Sequence, residues 1–142
     1  WAFAKVKVED QAVLRIAARE AYAKLAAFKG QETANLAWAL AVLDLQDAKL
    51  YHAIAREALK KLTSYKPQEM SNLAWAFANL SLHDLELFDS FADSAVAQLP
   101  ELNPQDLSNL AWAFAKLCVD KTAALQALAE EADRKLASQG DH

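Results

Sequence analysis

Apolar side chains fall along this chain at the i, i+3/i+4 spacing that gives a helix a buried stripe, and the blocks that carry the stripe recur. Met70, Leu73, Ala74, Phe77 and Leu80 form one such stripe, and Ser71, Trp75 and Ala78 add a second apolar or small face beside it. A helix of this kind is buried on two sides. Blocks of a second type alternate with the first. Their core positions correspond as Leu14/Tyr51/Phe88/Leu125, Ala17/Ile54/Phe91/Leu128, Ala18/Ala55/Ala92/Ala129 and Ala21/Ala58/Ala95/Ala132, closing on Leu25, Leu62, Leu99 and Leu136. Two positions that are alanine throughout predict close helix approach.

The period is set by the tryptophans, which stand at Trp1, Trp38, Trp75 and Trp112, 37 residues apart each time. Each lies in a near-copy: WAFAKV, WALAVL, WAFANL and WAFAKL, the last three inside QETANLAWALAVL, QEMSNLAWAFANL and QDLSNLAWAFAKL. The chain divides into units 1–29, 30–66, 67–103 and 104–142, of which the first lacks its leading portion. Within a unit the first helix opens near Gln31, Gln68 or Gln105. Pro67 and Pro104 precede two of these starts, where a missing N–H costs nothing, and Gly30 stands in the same place before the other. The aspartates Asp10, Asp47 and Asp84 are the predicted N-caps of the second helix, with Asp120 beside Lys121 in the fourth unit.

Helical hairpins with two-sided apolar surface must stack to bury it. The predicted fold is therefore all-α: an α-solenoid of about four 37-residue helix-turn-helix repeats forming one domain over 1–142, right-handed by analogy with other helical repeats. Both ends carry expectations of their own. Asp133 takes the place of Tyr22, Leu59 and Val96, and Glu130, Glu131, Arg134 and Lys135 make the last helix polar, as a terminal cap would be. Trp1, Phe3 and Val6 keep an interior pattern without the residues that should precede them, which predicts a chain cut from a longer one or a face covered by a partner.

The PQEMSNLAWAFANL and PQDLSNLAWAFAKL stretches, with Gln31–Leu43 slightly degraded, resemble the octotricopeptide repeat proteins of algae and related protists. That resemblance covers essentially the whole chain and implies binding of organellar RNA, in a plastid or mitochondrion, to guide maturation, stability or translation of transcripts. Its alternative is a protein-protein scaffold or structural subunit of a larger organellar complex. The tetratricopeptide pattern differs in spacing and in its Trp, Gly and Tyr positions.

Composition agrees with the helical reading: 32 alanines and 22 leucines stand against 2 glycines and 3 prolines. No apolar run approaches the roughly 20 residues of a membrane-spanning helix. The single cysteine, Cys118, excludes an internal disulfide and suits a reducing compartment. Net charge is -4, unevenly spread: +3 in 1–29, +1 in 30–66, -6 in 67–103 and -2 in 104–142. RNA would accordingly favour the N-terminal half.

A helical wheel leaves one polar arc on each first helix: Gln31, Glu32, Asn35, Ala39 and Val42; Gln68, Glu69, Asn72, Ala76 and Asn79; Gln105, Asp106, Asn109, Ala113 and Lys116. Stacked units would align these into a stripe. Asn35, Asn72 and Asn109 can offer a base edge both donor and acceptor, and Lys5, Val42, Asn79 and Lys116 form the varying, reading position. The asparagines equally fit a structural ladder that locks one repeat to the next. Trp38, Trp75 and Trp112 adjoin the apolar stripe and are assigned to the core rather than to base stacking.

Phosphate contacts fall to Lys24, Lys29, Lys61, Lys66, Lys116 and Lys135, which also complement helix dipoles. Under the scaffold alternative the contacts are Trp1 and Phe3 at the open end and Asp84, Glu86, Asp89 and Asp93, in a unit without lysine or arginine. His52, His83 and His142 lack repeated acid or nucleophile partners, and Cys118 shares a slot with Asp44 and Ser81. No catalysis, cofactor, metal, small-molecule substrate or membrane insertion is expected. Partners are single-stranded RNA or protein subunits of a larger assembly.

Overall fold

The computed structural model describes residues 11–45, 47–117 and 122–140, and these form helices joined by short loops, with no strand among them. In chain order the helices are α1 (Gln11–Lys24), α2 (Gly30–Leu43), α3 (Ala48–Lys61), α4 (Pro67–Asn79), α5 (Leu85–Ala97), α6 (Pro104–Lys116) and α7 (Thr122–Gly140). A single 3-10 turn follows α1, α3 and α5, at Leu25–Ala27, Leu62–Ser64 and Leu99–Glu101. The two helices of each hairpin pack together, α2 with α3, α4 with α5 and α6 with α7, and each helix packs on its counterpart one repeat away, the arrangement of an α-solenoid. One layer is α2, α4 and α6 side by side. The other is α1, α3, α5 and α7.

Local chemistry fixes where the helices begin and end. Pro67 and Pro104 occupy the first turn of α4 and α6. Asp47 and Asp84 cap α3 and α5, accepting from the N–H of Leu50 at 3.1 Å and of Leu87 at 3.0 Å. At α6 the exchange is reciprocal: Asp106 N–H donates to Asn103 Oδ1 (2.7 Å) and Asn103 N–H to Asp106 Oδ2 (3.2 Å). α2 and α4 close with left-handed residues, Asp44 at φ 51° and Ser81 at φ 58°. In α4, Leu82 N–H reaches Phe77 O and Ser81 N–H reaches Ala78 O, the two bonds of a Schellman cap. Cys118, the next residue in that series, lies outside the described residues.

The core runs between the layers. Leu40, Ile54, Leu73, Phe77, Phe88, Phe91 and Phe114 are buried, and Phe88 meets Phe91 and Phe114 edge to face at 5.2 and 5.7 Å. Within the first layer, Ala37, Ala41, Ala74 and Ala78 let α2, α4 and α6 approach closely. That approach corrects the wheel: Ala39, Ala76 and Ala113, assigned to the polar arc, are fully buried. In α7 the repeat's core positions partly open, with Ala129 and Leu136 exposed, while Glu131 of the polar cap turns inward to Arg134 (2.5 Å) and Lys135 (3.8 Å).

Polar contacts also join the units. Lys61 Nζ donates to the carbonyls of Ala26 (2.6 Å) and Phe28 (3.0 Å) in the turn before α2, and Lys135 Nζ makes the matching pair to Pro100 (2.9 Å) and Leu102. Ser71 Oγ donates to buried Asp106 Oδ1 across α4 and α6 at 3.1 Å. Gly30 is explained by packing, because a Cβ there would stand 2.5 Å from Glu69 Oε1 and 3.0 Å from the Tyr65 ring. Burial raises the hydroxyl pKa of both Tyr51 and Tyr65; at Tyr51 the charges of Asp44 and Asp47 add to it, and its hydroxyl donates to Leu45 O.

Candidate nucleic-acid interface

The exposed face of the first layer is built by one spacing used three times. On α2 it is Gln31, Asn35, Trp38 and Val42; on α4, Gln68, Asn72, Trp75 and Asn79; on α6, Gln105, Asn109, Trp112 and Lys116. Steps of four, three and four residues keep all four side chains on one helix face. Because α2, α4 and α6 lie side by side, the three sets align across the layer.

Of the tryptophans assigned to the core, only Trp75 packs against it, and Trp38 and Trp112 are exposed. Trp38 is 40% exposed and Trp112 41%, with Trp75 half-buried between them. The core is filled from the other side by Leu73, Phe77 and their counterparts, with Trp75 packed against its edge. The Trp75 and Trp112 rings stack with centroids 6.2 Å apart and planes 28° from parallel. Lys116 Nζ lies 5.1 Å from the Trp112 ring centre, within cation–π range. The signal was in the sequence: Asn72, Trp75 and Asn79 are spaced i, i+3, i+7, so tryptophan shares the face of the asparagines.

The other predicted contacts divide. Asn35 is exposed, and Asn72 and Asn109 are half-buried. Among the described residues no hydrogen bond joins the three into a ladder, and Asn109 Oδ1 accepts from Gln105 Nε2 at 3.0 Å instead. Asn79 donates to Ala41 O of the preceding unit at 3.5 Å, so this varying position also bridges repeats, and it is exposed, as Val42 and Lys116 are. Between α2 and α4 the stripe dips into a polar cavity of about 170 Å³ lined by Gln31, Asn35, Gln68, Asn72, Lys66 and Glu69.

Lys29 and Lys66 are exposed beside the starts of α2 and α4, at the glutamine end of the stripe, and Lys116 is at the other end. Glu32 and Glu69 turn back to the backbone N–H of Lys29 and Lys66, each at 2.9 Å. Lys24 pairs with Glu20 at 3.5 Å. Lys61 and Lys135 are withdrawn from phosphate duty by their carbonyl contacts. Lys5, Trp1 and Phe3 lie outside the described residues.

On α5, in the other layer, Glu86, Asp89 and Asp93 are exposed and Asp84 is spent on the N-cap. His52 and His83 are exposed around a shallow cavity of about 430 Å³ with Tyr51 and Phe77. No helix among the described residues is long and apolar enough to cross a membrane.

The family model for the RNA-editing substrate-binding complex 6 protein matches residues 1–137, and the chain belongs to that family. No curated protein matches it. The family differs by name from the octotricopeptide proteins. The two readings meet at a coarser level, an RNA-related helical protein.

Proposed function

We propose that this chain is a non-catalytic module that binds single-stranded RNA in an organelle of mitochondrial type, as one component of an RNA-editing substrate-binding assembly. One observation carries the reading: three helices present the same Gln–Asn–Trp face to solvent in register, followed by a position that differs in each unit, Val42, Asn79 or Lys116. Amides offer base edges both donors and acceptors, and a periodic array of them suits an extended, unpaired strand. The family's name points the same way. The octotricopeptide kinship is a finer form of this reading and rests on the PQEMSNLAWAFANL-type motifs.

The test is fluorescence anisotropy with a pool of short single-stranded RNAs at low and at physiological salt. Binding with sequence preference is expected, and Asn72→Ala/Asn109→Ala weakens it while leaving the melting temperature in place. No binding at low salt refutes the reading. A large fall in melting temperature would return the asparagines to a structural role. A scaffold role is the second reading, favoured by the exposed Glu86, Asp89 and Asp93 on a unit of charge -6. Neutralising Glu86 and Asp93 should weaken partner capture and leave the fold in place.

A further inference from the structure

Resting on the RNA reading, we infer that the tryptophan row is a stacking platform for unpaired bases, and that stacking rather than phosphate neutralisation supplies most of the affinity. Large aromatics are ordinarily covered, yet Trp38 and Trp112 are exposed on one helix face each, with Trp75 half-buried between them. Trp75 and Trp112 stack on each other with planes 28° from parallel, so a base extends this pair from an outer ring face rather than entering between the two. Lys116 lies over the Trp112 ring, and when a base displaces it from that face its ammonium stays within reach of the strand's phosphate. Amides of Asn35, Asn72 and Asn109 flank the indoles one turn away.

Charge excludes the ordinary alternative of a basic track. Residues 67–103 contain no lysine or arginine, and the cations bordering the row are Lys29, Lys66 and Lys116. Three phosphate contacts to a single strand give a log affinity against log salt slope of about -2. Stacking is blind to salt and tolerant of sequence, since every base has a π-face. Duplex RNA hides those faces, so the platform selects unpaired strands.

The experiment titrates the chain with labelled, unstructured 12-nucleotide RNAs and with a 12-base-pair duplex across a salt series, reading anisotropy and tryptophan emission. Single strands are expected to bind in preference to duplex, to quench the emission, and to give a slope no steeper than about -2. Trp38→Leu and Trp112→Leu should each weaken binding by about 5- to 150-fold, the effect of losing one stacked base, while Trp112→Phe recovers most of it. Unchanged affinity in folded leucine variants, a slope near -4 or steeper, or equal binding of duplex overturns the stacking inference while leaving RNA binding intact. Should the leucine variants fail to fold, the emission of the unaltered chain decides, and RNA binding without quenching overturns the inference. Absence of any RNA binding overturns both readings and leaves the row to a protein partner.

Discussion

Lys61→Met removes an ammonium from the joint between two repeats while keeping the apolar stem. Lys61 Nζ sits 2.6 Å from Ala26 O and 3.0 Å from Phe28 O, with Glu57 Oε2 at 3.6 Å, and the side chain is 31% exposed. A hydrogen bond to a charged group contributes about 1.5–3 kcal/mol. Partial exposure and the ordering of a long side chain reduce the pair of bonds to a net of roughly 1–2 kcal/mol. Lys61→Met should lose that much, about 2–7 °C in Tm for a chain of this size. The converse change is available because the third unit has Ser94 and Gln98 where its neighbours have Glu57/Lys61 and Glu131/Lys135. Ser94→Glu/Gln98→Lys should therefore add about 1 kcal/mol by presenting the same fork to the turn after α3. Urea unfolding followed by far-UV circular dichroism measures both, with equal m-values required for the comparison. A loss below about 0.3 kcal/mol in Lys61→Met, or a graft that destabilises, would refute the clamp, as each falls outside the range of a charged hydrogen bond. RNA affinity should be unchanged in Lys61→Met, since its ammonium is already committed.

Ser81 holds φ 58°, a left-handed conformation in which glycine is free of Cβ strain, so Ser81→Gly should stabilise by about 0.5–1 kcal/mol in the same assay. Gly30→Ala should destabilise by about 1 kcal/mol through Glu69 and Tyr65, and adding Glu69→Asp, which copies the Asp106 of the next unit, should recover part of that in a double-mutant cycle. Tyr51 keeps its proton in the folded state to a pH well above its ordinary 10.0. The unfolded chain releases that proton first, so stability is full below pH 10 and falls as pH rises beyond it. Tyr51→Phe should flatten that alkaline fall while costing about 1 kcal/mol at neutral pH for the orphaned Leu45 carbonyl, and a pH series of urea midpoints checks both.

Helix type, order and most of the core were legible because periodicity alone separates Leu73 and Phe77 from Asn72 and Asn79. The aspartate caps were legible too, as Asp47 and Asp84 accept the bonds their positions imply. Trp38 and Trp112 were misplaced because residue type was weighed above spacing, while Trp75, between its two neighbours, does pack against the core. Ala76 failed in the opposite sense, since a wheel cannot show how near the neighbouring helix comes. Lys61 and Gly30 were illegible for a third reason, as their partners, Ala26 and Glu69, are set only by the stacking of one unit on another.

Contact between α2, α4 and α6 is far more extensive than between α3, α5 and α7. Mechanically, the first layer is the inextensible sheet of a bending beam and the second its compliant side. When such a solenoid flexes or changes pitch, strain should collect where the backbones stand further apart, so the spacing between successive indoles should change less than the width of the acidic face. The stripe would then behave as a fixed ruler for whatever lies along it, and the opposite face as the part of the molecule whose geometry a partner can set.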